Sequence, residues 1–171
     1  MVPCAERVRF TSSGTEANLM AFRLARAFTG KPKLVRFICH FHGWQDHVAF
    51  GAKGGYSEGP VPGVLDGIIE NVVLIEPGNE QLMRETLASR DDIAGVILEP
   101  TGASFGSIPI TRDVVAALRE ATTEHGVLLL FDEVVTGFRV SSGGAQAHYG
   151  ITPDLTSLAK ILSGGLPVSY T

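Results

Sequence analysis

Cysteine, lysine, long apolar runs and clustered positive charge are all scarce in this chain. The two cysteines among 171 residues, Cys4 and Cys39, have neither zinc-site nor disulfide-framework spacing. They read as free thiols of a reducing compartment, so the expected location is cytoplasmic. No run of Lys and Arg occurs and the formal net charge is -4, which argues against a nucleic-acid partner. The longest apolar runs are about five residues, as in Val127-Leu-Leu-Leu-Phe131, whereas a membrane-spanning helix needs roughly 20. No membrane partner is expected, and no apolar leader follows Met1. Glycine, by contrast, is plentiful: 20 residues gathered mainly in loops, a sign of backbone approaching something closely. With 44% hydrophobic and 19% charged residues, the composition is that of a folded domain long enough for a full core.

Strand-like and helix-like segments alternate along the chain. Val8-Arg-Phe10 is a short extended run, and Ser13-x-x-Glu16 behind it has capping-box spacing, which predicts a helix over 17–28 stopped by Gly30. Its inner face is expected to carry Leu19, Met20, Leu24, Ala27 and Phe28. Strands are predicted over 34–38, 71–75, 94–98 and 127–131. Further helices are predicted over 79–89, buried through Leu82, Met83 and Leu87, and from the Thr111 cap to Glu124. The segments 39–67 and 136–154 read as glycine-rich loops, the first too long for a simple connector. Continuously apolar strands alternating with helices imply an α/β fold, a mainly parallel sheet with helices on both faces. Ser13, His42, Glu99 and Asp132 then fall just after strand C-termini, the edge where such sheets bind ligands.

Lys160 is the focus of the chain's chemistry. It is one of four lysines, and it ends the apolar run of Pro153-Asp-Leu-Thr-Ser-Leu-Ala-Lys160 before a glycine turn closed by Pro167. Apolar neighbours remove solvation from an ammonium, and desolvation favours the neutral amine that Schiff-base chemistry needs. The bland alternative is a lysine that merely reaches for water from a strand end. Three constellations compete for the site. His40, His42 and His47, with Cys39 and Asp46, contain zinc-type ligands but match no closed metal-site spacing, so no metal is expected. Gly102-Ala-Ser104-Phe-Gly106 matches a hydrolase nucleophile elbow, with Asp132 and His148 in the expected chain order. That elbow demands a strand turning at once into a helix, and Pro100 interrupts it. The third set fits a pyridoxal phosphate site: Lys160 as the amine and Asp132 as partner to the pyridine nitrogen. The capped helix start at Ser13-Gly14-Thr15 is a natural phosphate seat, and Phe41 offers a ring to stack.

Several stretches together resemble the class III, fold-type-I pyridoxal-phosphate aminotransferases, and within them the glutamate-1-semialdehyde 2,1-aminomutase branch. These are Glu6 through Ala17, Phe41-His-Gly43, Gly95-Val-Ile-Leu-Glu-Pro100, Leu130 through Arg139, and Gly150 through Pro167. The resemblance implies that Lys160 forms the Schiff base with pyridoxal 5'-phosphate and later moves the proton. It implies that Asp132 pairs with the pyridinium nitrogen, that Val134 packs on one ring face, and that Ser13, Gly14 and Thr15 hold the phosphate. Phe41 stands where the family usually has tyrosine, so stacking survives without the phenolic hydrogen bond; His42 follows as in the family. Ser104 falls near the cofactor hydroxyl, where the mutase branch carries asparagine, which loosens the tie to the mutase and leaves aminotransferase chemistry intact. The implied partners are a small-molecule amino donor, a carbonyl acceptor and, in the full-length form, a second copy in a homodimer. Residues 1–171 are expected to be part of a larger cofactor-binding domain, lacking an N-terminal segment and a C-terminal small domain, and inactive alone, the alternative being a fragment with only an interaction role. Arg139 and the Gly51-Ala-Lys-Gly-Gly55 loop are further residues whose part in the site is open.

Overall fold

Apolar strands need cover on both faces, and the observed architecture supplies it. The computed structural model describes residues 1–51, 62–164 and 166–170, with the side chains of Ser104, Phe105 and Tyr170 outside that description. Most of the Gly51-Gly55 loop, Lys53 included, therefore lies outside the described residues. The first half contains β1 (Phe10–Thr11), α1 (Gly14–Thr29), β2 (Lys33–Phe37), α2 (Asp66–Ile69), β3 (Val72–Ile75) and α3 (Glu80–Ala88). Next come β4 (Ile93–Leu98), α4 (Ala103–Gly106), β5 (Ile108–Pro109), α5 (Arg112–Glu124) and β6 (Leu128–Glu133). The chain then forms α6 (Gly144–Tyr149), β7 (Leu155–Leu158), a 3-10 turn (Lys160–Ser163) and β8 (Ser169–Tyr170).

Seven strands join one sheet in the order β1-β8-β7-β6-β4-β2-β3. The five central strands are mutually parallel, and β1 and β8 form an antiparallel edge. Alternate residues of each inner strand serve opposite faces. Val35, Phe37, Val96, Leu98, Leu129 and Phe131 meet Met83 and Leu87 of α3 and Val115 and Leu118 of α5. Leu34, Ala94, Ile97 and Leu130 meet Ala21, Phe22 and Ala25 of α1. This double burial is why the strands read as continuous rather than alternating.

The cap signals hold. Ser13 accepts the Glu16 N–H, Glu16 reaches back to Ser12 N–H, and Gly30 closes α1 in the left-handed region. Thr111 and Asn79 cap α5 and α3. The inner face of α1, however, is not the predicted one. Ala17, Asn18, Ala21, Phe22 and Ala25 are buried, while Leu19, Leu24 and Phe28 are exposed, Phe28 at 82%. The face packed on the sheet is mostly small, Ala17, Ala21 and Ala25 around a single Phe22, with Ala25 at contact distance from Gly95. The stripe richer in large apolar residues is left outside. Leu82 is likewise turned partly to solvent, whereas Met83 and Leu87 are buried. Helix α6 lies in what reads as a loop, and β6 runs two residues further than predicted, taking Asp132 and Glu133 into the strand.

Candidate active site

Because the central strands are parallel, their C-terminal ends share one edge, and a cleft of about 410 Å³ opens there. Of the nine residues expected to form the site, Gly14, Thr15, Phe41, His42, Asp132, Val134 and Lys160 line this cleft. Asn18, Cys39, Gly43, Glu99 and Val135 complete the lining. Ser13 is not in the lining; its hydroxyl accepts the Glu16 N–H at 3.2 Å and donates to Glu16 Oε2 at 3.1 Å. Ser104 has its backbone in α4, and its side chain is outside the described part.

Asp132 is the best-held group of the site. Its Oδ2 accepts from Asn18 Nδ2 and from His42 Nδ1, both at 2.8 Å, and its Oδ1 accepts from Val134 N–H at 3.1 Å. The residue is only 5% exposed, so these donors do the work that water does for a surface carboxylate. Receiving a bond from Nδ1 fixes the His42 tautomer and leaves its Nε2 buried without a partner among the described residues. Next to it, His40 Nδ1 accepts the Glu99 N–H at 2.9 Å, while Glu99 Oε1 accepts the Phe41 N–H at 2.8 Å. That reciprocal pair fastens the turn after β2 to the end of β4. Burial, then the neighbouring His42 and Arg36, depress the His40 pKa to about 3, so it is neutral.

Two close approaches shape the helix end. A Cβ on Gly14 would lie 2.8 Å from Val134 Cγ2, and Gly43, at φ 107°, leaves no room for a side chain against Thr15. The N–H groups of Gly14 and Thr15 have no acceptor within α1, and both residues line the cleft. Lys160 is exposed, whereas its predecessors Leu158 and Ala159 are buried. The desolvation expected from its apolar neighbours is thus absent: the chain leaves β7 and turns, sending the apolar residues inward and the lysine outward. The turn bends its backbone to φ 21°, sparsely populated for a residue with a side chain. Cys39, at φ 69°, is a second such residue in the lining. Arg139 is exposed, and its Nε donates to the carbonyl of Val135.

The competing constellations do not assemble. Asp132 is committed to Asn18 and His42, while His148 lies exposed on α6 with its ring 5.2 Å from that of Tyr149, so no Ser-Asp-His relay forms. Ser104 sits inside the four-residue α4, after the turn that follows β4, and not at a strand-to-helix elbow. Among the described residues no group of three or more His, Cys, Asp or Glu side chains could hold a metal ion. His40, His42 and His47 are instead tied to Glu99, Asp132 and Gln45. Sequence reasoning missed Asn18 and Ser157, which buttress Asp132; nothing in their local pattern marks them, because their partner lies far along the chain.

The family model for class-III aminotransferases matches residues 1–171. The chain belongs to the class-III aminotransferases. It is 47% identical over 171 residues to a glutamate-1-semialdehyde 2,1-aminomutase of Natranaerobius thermophilus, covering 98% of this chain and 40% of the relative. The corresponding protein of Sulfolobus acidocaldarius is 44% identical over 170 residues, with the same coverage. Among solved structures, an omega-transaminase from Sphaerobacter thermophilus superposes with a TM-score of 0.89 at 34% identity, covering 99% of this chain and 41% of that one. A glutamate-1-semialdehyde aminomutase from Pseudomonas aeruginosa gives 0.81 at 31% identity, covering 96% and 36%. The chain thus spans about 40% of the length of the curated relatives it matches. The resemblance read from the motifs, and the α/β class-III aminotransferase fold it implied, are borne out. Among the described residues no helix is long and apolar enough to cross a membrane.

Proposed function

We propose that the protein is a pyridoxal 5'-phosphate-dependent aminotransferase or aminomutase, most like the glutamate-1-semialdehyde 2,1-aminomutases. The observation that carries this reading is one cleft lined by a lysine, a buried and well-held carboxylate, and a helix N-terminus: Lys160, Asp132 and Gly14-Thr15. Those groups fit the cofactor's aldehyde, ring nitrogen and phosphate, in that order. When bound, the cofactor supplies an electron sink that acidifies the hydrogen beside the substrate nitrogen. Lys160 would hold the cofactor through its amine, and its Nζ is the group placed to take and return that proton. Asp132 would offer a carboxylate oxygen to the ring N–H, and His42 holds that carboxylate in place. Val134 and Phe41 would flank the ring. The N–H groups of Gly14 and Thr15 and the Thr15 hydroxyl would hold the phosphate, with the Ser13 hydroxyl able to join them if it gave up its bond to Glu16. On the family resemblance, Ser104 would be the residue nearest the cofactor hydroxyl.

The substrates on this reading are a small amino donor and a carbonyl acceptor, joined in one molecule if the reaction is the mutase one. The working form on this reading is a cytoplasmic homodimer; Phe28 and Trp44 are large apolar side chains left exposed here, for the rest of the protein or a second copy to cover. The test is turnover of glutamate 1-semialdehyde by the cofactor-loaded protein at its full natural length. Formation of the amino ketone in which amine and carbonyl have exchanged places, without added donor, supports the mutase. Turnover only with a separate amino donor and keto acid supports a transaminase. Absence of both reactions from the cofactor-loaded protein contradicts the proposal.

A further inference from the structure

Asn18 lies one turn inside α1, is 1% exposed, and touches three other segments of the site. Its Nδ2 donates to Asp132 Oδ2 at 2.8 Å and to the carbonyl of His42 at 3.0 Å. Its Oδ1 accepts from the Ser157 hydroxyl at 2.6 Å. Chemistry fixes this orientation of the amide. Turned over, its oxygen would face a carboxylate and a carbonyl, two acceptors against an acceptor. Ser157 sits beside Asp132 in the β6–β7 register, three residues before Lys160. The Ser157 hydroxyl is 3.5 Å from Asp132 Oδ1, so its proton goes to Asn18 rather than to the acid.

We infer that Asn18, locked by Ser157, is a positioning residue that sets the plane of the Asp132 carboxylate for the ring nitrogen of the cofactor. The inference rests on the pyridoxal phosphate reading of the cleft. The terminal torsion of an aspartate is broad and roughly two-fold, so its own rotamer does not hold the plane. Hydrogen bonds do. Removing Asn18 leaves Oδ2 with His42 alone, and lets the carboxylate rock about that bond and the one from Val134 N–H. Asn18 also shares a helix with Gly14 and Thr15, so one rigid element registers the phosphate seat against the ring-nitrogen acceptor. A buried asparagine that merely tied α1 to the sheet would make the same bonds, yet it would affect every ligand of the cleft alike.

A ligand that lacks the ring N–H separates the two roles. The experiment titrates the protein at its full natural length, wild type and Asn18→Ala, with pyridoxal 5'-phosphate and with its 1-deaza analogue, which carries carbon in place of the ring nitrogen. Binding is read by absorbance and by equilibrium dialysis, with no turnover required. The expected result is a loss of about tenfold, about 1.4 kcal/mol, for pyridoxal phosphate and less than about twofold for the deaza compound. Ser157→Ala is expected to lose a smaller factor, of about threefold, with the same discrimination, and it serves if Asn18→Ala does not fold. Equal losses for both ligands, or no loss for pyridoxal phosphate, overturn the positioning role. Wild-type protein that binds neither ligand overturns the underlying cofactor reading instead.

Discussion

Replacing Glu133 by alanine removes an acceptor that gathers four donors in a fully buried place. Its carboxylate takes the Thr136 hydroxyl at 2.8 Å, the Ala145 N–H, the Gln146 N–H at 3.3 Å and the Gln146 side-chain amide at 3.0 Å. Two of these are first-turn amides of α6, a helix of six residues with no side-chain N-cap of its own. A helix that short does not hold itself together in water, so the acid at its positive end is what fixes it. Each buried donor left without an acceptor costs roughly 1–3 kcal/mol. The sum is not additive, because water enters the space vacated, and a loss of about 4 kcal/mol is expected. Against a total stability of about 5–15 kcal/mol that is a large fraction. Glu133→Gln keeps the shape and one acceptor but sets an NH2 against N–H donors, and about 2 kcal/mol is expected. The assay is urea denaturation combined with amide hydrogen exchange over 143–150. Exchange there should rise by orders of magnitude in Glu133→Ala and by less in Glu133→Gln. Wild-type exchange at Ala145 and Gln146 in the alanine variant refutes the argument.

Three further changes probe other parts of the account. His40 is held near a pKa of about 3 by burial, below its ordinary value of about 6.5, so the unfolded chain binds a proton that the folded one excludes. Its contribution is present above about pH 6.5 and fades as pH falls toward 3, with a loss of about 2 kcal/mol by pH 5. His40→Asn, whose oxygen can still accept the Glu99 N–H, should flatten that slope in melts taken between pH 7 and 5; an unchanged slope contradicts it. Cys39→Gly relieves a left-handed backbone at φ 69°, and a gain of up to about 1 kcal/mol is expected by thermal melting, glycine's own chain entropy offsetting part of it. Gly14→Ala drives a methyl to 2.8 Å from Val134, a stiff β-branched side chain, and should cost about 1–3 kcal/mol despite alanine's better helix propensity. Adding Val134→Ala should recover most of the loss in the same melts.

Local signals carried the sequence reading well. The capping box at Ser13, the cap at Thr111 and the continuously apolar strands each depend on residues within a turn or a run, and all three recur in the structure. The cleft residues Gly14, Thr15, Phe41, His42, Asp132, Val134 and Lys160 were legible through their motifs. What escaped depends on partners distant in the chain. Helix α6 is fixed by Glu133 from the end of β6, so no cap announces it. The inner face of α1 is mostly alanine around Phe22, packed on strands β4 and β6 far along the chain, and hydrophobic size pointed the wrong way. Asn18 is a polar residue on a buried face, ordinary in sequence, whose meaning appears only when Asp132, 114 residues later, is brought to 2.8 Å.

The central claim is that Lys160 carries the cofactor. Pyridoxal 5'-phosphate mixed with the protein at its full natural length, reduced with borohydride and mapped by peptide mass spectrometry, tests it most directly. The predicted result is a single stable adduct on Lys160, lost in Lys160→Ala. An adduct on Lys31, Lys33 or Lys53 instead, or none at all, contradicts the account.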